Sequence, residues 1–321
     1  MSDVLKPRAM RDTFLQELHS LMAVEKDIFF VSGDFGSPVL DSIRSDFPDR
    51  FLNVGIAEQN LIGIATGLAS EKYDVVTTTF APFQTMRCCE QIKVNLGYMK
   101  YKVCMVGLAS GLVLGTLGFT HCCIEDIGVL RSIPNITIIS PSDSLETIKA
   151  LQSAIKLDGP SYIRLTGGSN NSIINNEDYD FKIGKSINLC EGDDVFIFCN
   201  GAITKECLLA ANELKKENIH CNVTNMHTIK PIDKEAILKA SKTTNSRTSP
   251  TVAADNNVTL APSVAVKSLP STRRVPLRYT AISLILYPPR SLIKNIGFDG
   301  TGVHCLKTNV FQIKRKILKW G

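Results

Sequence analysis

Glu58 stands where a carboxylate could take part in proton chemistry. It lies in the hexapeptide Gly55-Ile56-Ala57-Glu58-Gln59-Asn60, between an apolar stretch and the opening of a helix-patterned one. A helix start presents oriented N–H groups that favour negative charge. The same position is also a common place for a plain first-turn acid. Phe80 and Phe83 flank Ala81-Pro82, and could serve as a stacking surface or as ordinary core. His121 follows a glycine-rich run holding Gly111, Gly115 and Gly118. It falls after the C-terminal end of an expected strand, where α/β sites open. Asp34 sits in the turn Gly33-Asp34-Phe35-Gly36, and Arg164 in Ser161-Tyr162-Ile163-Arg164. The tripeptide Asp34-Phe35-Gly36 invites comparison with a kinase, but the nucleotide and catalytic loops that would give it meaning are absent from the chain.

The elements that must position these residues alternate. Residues 8–25 read as a helix with Met10, Phe14, Leu18, Leu21 and Met22 on one face. Short apolar strands are expected at 28–32, 51–54, 75–80, 102–108, 135–140 and 161–165. Helices are expected at 38–45, 57–70, from Pro82 to about 96, at 124–133, and after Asp143-Ser144-Leu145-Glu146. That last tetrapeptide has the acceptor-x-x-Glu form of a capped start, and its helix should bury Leu145, Ile148, Leu151 and Ile155. Strands alternating with helices of this length predict a mostly parallel sheet covered on both faces. A second α/β unit begins near Val195, with a helix at 203–217, a strand at 221–224 and a helix after Pro231. The fold class is therefore α/β in two domains, each a mostly parallel sheet flanked by helices. The expected boundaries are 1–170, a linker over 171–188, and 189–321.

With 321 residues, 44% apolar and 21% charged, the chain suits two globular domains. The net charge of +5 is scattered apart from Lys314, Arg315, Lys316 and Lys319, which read as a solvated helix face. No nucleic-acid partner is expected. Ten cysteines without a C-x-x-C suit a reducing cytosol. No apolar run is long enough to span a membrane, and Met1 to Arg8 is neither a signal nor a transit segment. A cytoplasmic protein is expected.

Further motifs follow Glu58 in register: Phe80-Ala81-Pro82-Phe83, then Arg87 and Glu90-Gln91, then Gly118-Phe119-Thr120-His121, Glu125-Asp126, Arg131-Ser132-Ile133-Pro134-Asn135 and Gly159-Pro160. In this order and spacing the chain resembles the transketolase superfamily, as its pyrimidine-binding domain plus the C-terminal domain, over roughly residues 10–240. The resemblance implies thiamine diphosphate as cofactor. In that family a glutamate at the position of Glu58 hydrogen-bonds the far ring nitrogen of the aminopyrimidine. The contact favours the imino tautomer and so activates the thiazolium carbon toward a ketose. Phe80 and Phe83 match aromatic positions on or near the pyrimidine, His121 a histidine near the substrate oxygens, and Asp34 an acid at the edge of the site. Arg164 is a neighbour of the substrate positions.

Three departures qualify the resemblance. The family's Gly-Asp-Gly…Asn motif for diphosphate and Mg2+ is missing; Gly192-Asp193-Asp194 reads as a turn. The resemblance therefore implies a partner, an N-terminal subunit carrying the diphosphate/Mg2+ site, in a dimer of heterodimers. Leu117 and Ala109 stand where classical members carry an acid and a histidine, and those members carry an arginine close to the position of Gly167, all for the sugar and its phosphate. A small ketose other than a standard sugar phosphate is expected. Lastly, residues 243–296 hold six of fourteen prolines, no glycine and a single acid, Asp255, before family-like sequence returns at Ile296-Gly297-Phe298-Asp299-Gly300-Thr301-Gly302. A compensated frame slip across about 260–290 would produce that pattern.

The expected activity is transfer of a two-carbon ketol unit. Alternatives are a deoxyxylulose phosphate synthase-like enzyme, a 2-oxoacid dehydrogenase beta-type subunit, and a non-catalytic partner of an active homologue.

Overall fold

The computed structural model describes residues 9–166, 172–174, 179–243, 251–254 and 265–266. The asparagine- and glycine-rich part of the expected linker, most of 243–296 and the basic tail lie outside the described residues. The chain divides into two compact units, Met1–Lys185 with His227–Ile232, and Ser186–Met226 with Asp233–Gly321.

In chain order the first unit holds α1 (Met10–Val24), β1 (Ile28–Ser32), α2 (Pro38–Asp46), β2 (Phe51–Asn53), α3 (Glu58–Ser70), β3 (Asp74–Phe80), α4 (Ala81–Thr85), α5 (Cys89–Gln91), β4 (Val103–Leu108), α6 (Asp126–Ser132), β5 (Thr137–Ile139), α7 (Ser144–Ile155) and β6 (Ser161–Arg164). Then come β7 (Ile187–Cys190), β8 (Val195–Asn200), α8 (Thr204–Lys215), β9 (Cys221–Asn225), β10 (Thr228–Lys230), α9 (Lys234–Thr243), β11 (Thr251–Ala254) and β12 (Ala265–Val266).

The first unit's sheet runs β10-β5-β6-β4-β3-β1-β2, parallel throughout except for β10, which returns from later in the chain and pairs antiparallel with β5. Every residue of β4 is buried, as are the five central residues of β3. That burial explains why these strands read as apolar or β-branched runs rather than alternating ones. Met10, Phe14, Leu18 and Met22 of α1 enter the same core as Phe30, Val106 and Ile163, on the face the spacing predicts. In the second unit β11, β8 and β9 run parallel, β7 pairs antiparallel with β9, and β12 antiparallel with β8. Cys207, Ala211 and Leu214 of α8 pack with Val195, Ile197 and Val223. Among the described residues no helix is long and apolar enough to cross a membrane.

Two local expectations need correction. The segment from Pro82 to about 96 is not one helix. α4 ends at Thr85, Arg87 N–H reaches back to Pro82 O (3.2 Å), and Cys88 leaves the helical region before α5 and a π-helical turn, Ile92–Tyr98. The Cys88 thiol donates to Gln84 O (3.0 Å), and Arg87 O accepts from Gln59 Nε2 (3.2 Å), so carbonyls at the break keep partners. In α7 the cap is as expected: Asp143 Oδ1 accepts from Glu146 N (2.8 Å). The buried face, however, is Thr147, Ala150, Leu151 and Ala154 with Ser144 and Glu146, not the Leu145 and Ile148 line. Glu146 turns inward because its carboxylate accepts from Ser142 N and Oγ and from Tyr179 Oη (2.6, 2.8 and 2.8 Å). Satisfying that buried acid rotates the helix.

A buried polar knot fixes α6 to the sheet. Asp126 Oδ2 accepts from Arg164 Nε (2.8 Å) and Tyr162 Oη (2.9 Å), and Asp126, Tyr162 and Arg164 are all fully buried. Burial, and after it the Asp126 charge, push the Tyr162 phenol well above its ordinary pKa, so it stays a donor. Room for that phenol exists because position 107 is glycine: a Cβ there would lie 2.3 Å from Tyr162 Oη. Replacing Asp126 with Ala removes the carboxylate facing a buried guanidinium, and should cost about 3–5 kcal/mol of stability. Urea unfolding followed by circular dichroism measures this; a loss below about 1 kcal/mol would show that the knot is not what holds α6.

Candidate active site

Glu58 is the first residue of α3 and only 3% exposed. Its approach is set by Gly55, whose φ of +69° turns the chain out of β2 while its N–H is held by Asn53 Oδ1 at 2.8 Å. Burying a carboxylate demands a partner. Glu58 Oε2 takes Arg87 Nη1 at 2.7 Å, and the Arg87 guanidinium carbon lies 4.0 Å from the centroid of the Phe83 ring. The sharp turn that ends α4 thus delivers Arg87 to both groups.

Phe80 and Phe83 meet edge to face, with centroids 6.2 Å apart at 85°. The His121 ring packs against both, 5.9 Å from Phe80 and 5.3 Å from Phe83. Phe35 adds a fourth ring, 6.5 Å from Phe80. His121 rides on the loop between β4 and α6. That loop is closed at its base by paired bonds between Gly111 and Cys123 (2.7 and 2.9 Å). Gly118, at φ +78°, supplies the carbonyl that His121 N–H reaches at 3.1 Å. Thr120 Oγ1 lies 3.0 Å from His121 Nδ1.

The structure thus gathers Phe80, Phe83 and His121 into one cluster, with Glu58 joined through Arg87. Asp34 is exposed in the turn after β1, one residue from Phe35. Arg164 lies outside this group: it is fully buried in β6, where its Nε donates to Asp126 Oδ2. The sequence shows Arg87 only as part of a motif, without a partner. Its spacing four residues after Phe83, with two aromatics and a nearby acid, is the signal that points to one. Phe35 reads in the sequence as no more than a turn residue.

Chemically, a buried carboxylate beside half-buried aromatic rings fits a flat heterocycle: the carboxylate for a ring nitrogen, a ring face for stacking. His121 offers a second polar group at the same place. Among the described residues no group of three or more His, Cys, Asp or Glu side chains is placed to hold a metal ion.

The first unit is thus a mostly parallel sheet with these groups at or beyond its strand ends, and a smaller mixed-sheet unit follows in the chain. Residues 6–171 match the transketolase pyrimidine-binding domain and residues 184–269 the transketolase C-terminal domain. The chain belongs to the transketolase family, of the type in which these two domains form one chain of a split enzyme. It is 34% identical over 283 residues to the 6-deoxy-6-sulfo-D-fructose transketolase subunit SqwH of Clostridium sp. (strain MSTE9), covering 87% of this chain and 86% of that protein. It is 35% identical to an apulose-4-phosphate transketolase subunit of Phocaeicola vulgatus, covering 74% and 76%. A solved split-gene transketolase, described as an inactive beta4 tetramer, superposes with a TM-score of 0.71 at 31% identity, over 78% of this chain and 81% of that one. Family membership implies thiamine diphosphate as the cofactor.

Two thiols border the site. Burial, then the Glu58 charge, push Cys88 up to about 12. Burial, then the Asp126 charge, push Cys123 up to about 12. Both values lie above the ordinary 9.0, so the folded chain keeps these thiols protonated over a window, roughly pH 9 to 12, in which the unfolded chain releases the proton. Iodoacetamide at pH 8 is therefore expected to leave Cys88 and Cys123 unmodified in the native chain and to alkylate both in urea, read by peptide mass spectrometry. Native-state alkylation at either would contradict the buried placement.

Proposed function

We propose that this chain supplies the pyrimidine half of a split transketolase that moves a two-carbon ketol unit between small ketose and aldose substrates. The observation that carries this is the buried Glu58 carboxylate opening α3 beside the Phe80–Phe83–His121 cluster. When bound, thiamine diphosphate supplies the electron sink. Glu58 would hold the far ring nitrogen and share its proton, Phe83 would give a stacking face, and Phe80 would back it. His121 would face the reacting oxygens, and Asp34 would border the opening.

The diphosphate and Mg2+ are assigned to an N-terminal partner subunit, and the assembly to a dimer of heterodimers in the cytoplasm. Supporting this reading, the relatives above carry subunit names, and one solved neighbour is a tetramer. Concerning substrate, the loop from 109 to 125 contains no lysine or arginine, and Leu117 on it is 55% exposed. A terminal phosphate would find no cation there, which favours a substrate lacking one at that end.

Gentle purification of the tagged chain from its native cells should bring a companion with a Gly-Asp-Gly…Asn motif and bound thiamine diphosphate. In that assembly Glu58→Gln is expected to lower turnover by roughly 10²–10⁴-fold. A chain that emerges alone and without cofactor, or an assembly indifferent to Glu58→Gln, would favour the non-catalytic partner instead.

A further inference from the structure

Arg87 holds both groups that a bound aminopyrimidine would use. Its Nη1 lies 2.7 Å from Glu58 Oε2 and its guanidinium carbon 4.0 Å from the Phe83 ring centroid. The guanidinium is flat, nitrogen-rich and a hydrogen-bond donor, and stacks well on aromatic faces. The aminopyrimidine of the cofactor is likewise flat and nitrogen-rich. Two such groups cannot stack on one ring face at once, and each draws on the same carboxylate.

The two ends of the contact differ in exposure. Glu58 is 3% exposed at its side chain and fixed on a long helix, whereas the Arg87 side chain is 40% exposed. The Arg87 backbone is anchored separately, its N–H on Pro82 O and its carbonyl on Gln59 Nε2. The side chain can therefore swing out on its flexible stem while the turn stays in place. Half-exposed ion pairs and cation–π contacts are weak enough to be exchanged for a ligand. Without any partner, a carboxylate as buried as Glu58 would be strongly disfavoured.

We propose that Arg87 is a displaceable stand-in for the aminopyrimidine: it pairs with Glu58 and covers Phe83 until the cofactor arrives, then leaves both. The inference rests on the roles given above to Glu58 and Phe83. It adds a function for Arg87, which is to keep the pyrimidine position preformed in the cofactor-free chain, at the cost of competing with the ligand. Cofactor affinity is then set in part by how readily Arg87 lets go.

The probe is a free aminopyrimidine, 4-amino-5-hydroxymethyl-2-methylpyrimidine, titrated by NMR into the full-length chain. This ligand needs neither the diphosphate half nor turnover. Arg87→Met keeps the stem and removes the head, and is expected to bind roughly fivefold to tenfold tighter than the unaltered chain. Glu58→Gln and Phe83→Ala should each weaken binding. Weaker or unchanged binding by Arg87→Met, with Glu58 and Phe83 still required, would overturn the stand-in and leave the cofactor reading intact. Indifference to Glu58→Gln and Phe83→Ala, or no binding by any form, would overturn both. A second measurement needs no substitution. Phenylglyoxal should modify Arg87 faster when the aminopyrimidine is present, because the ligand releases the guanidinium. Protection of Arg87 by the ligand would show instead that the arginine stays and helps to hold it.

Discussion

A carboxylate at 3% exposure sets terms for everything around it. In the low dielectric of the interior, Glu58 needs a donor at hydrogen-bond distance, and the nearest backbone cannot be its whole solution. The position at the head of α3 helps, since the first N–H groups of the helix face that end. The remainder comes from Arg87, and Arg87 can reach Glu58 because α4 stops after five residues. A continuous helix from Pro82 to 96 would send position 87 along a different line. At that break the Cys88 thiol donates to Gln84 O and Gln59 reaches Arg87 O, so the turn that presents Arg87 keeps its backbone partners.

The second constraint acts one strand further along. Gly107 in β4 admits the Tyr162 ring from β6, and the Tyr162 hydroxyl with Arg164 fixes Asp126 at the start of α6. The loop that carries His121 therefore has a rigid foot at each end: β4 on one side, and the Gly111–Cys123 pairing with α6 on the other. A histidine that must meet two phenyl rings at 5–6 Å cannot hang on a free loop.

Much of this is legible in the sequence, and the failures share a cause. β1 and β4 are apolar runs and β3 a β-branched one, each bounded by turns, and α1 and α8 show one clear face, so period and punctuation locate them. The hexapeptide around Glu58 and the pair Phe80–Phe83 are recognisable by order and spacing. What goes unread depends on polar groups finding partners distant in sequence. β10 looks like loop because its pairing with β5 lies about ninety residues back. The face of α7 turns because Glu146 is claimed by Ser142 and Tyr179. The contact of Arg164 with Asp126 also goes unread, because the two stand thirty-eight positions apart. Hydrophobic pattern reports which side of an element is inside; it does not report which buried acid an arginine will meet.

The same distinction explains why such a site divides well between chains. A flat heterocycle asks for an aromatic face, a buried acceptor and exclusion of water, and these come from strand ends and one helix start within a single sheet. A diphosphate asks for the reverse, a cation and oxygen ligands in a polar setting. Nothing in the Glu58–Phe83–His121 arrangement depends on having that polar half in the same polypeptide. Against Phe83 and Glu58 in this chain lies a flat, nitrogen-bearing group, the guanidinium of Arg87.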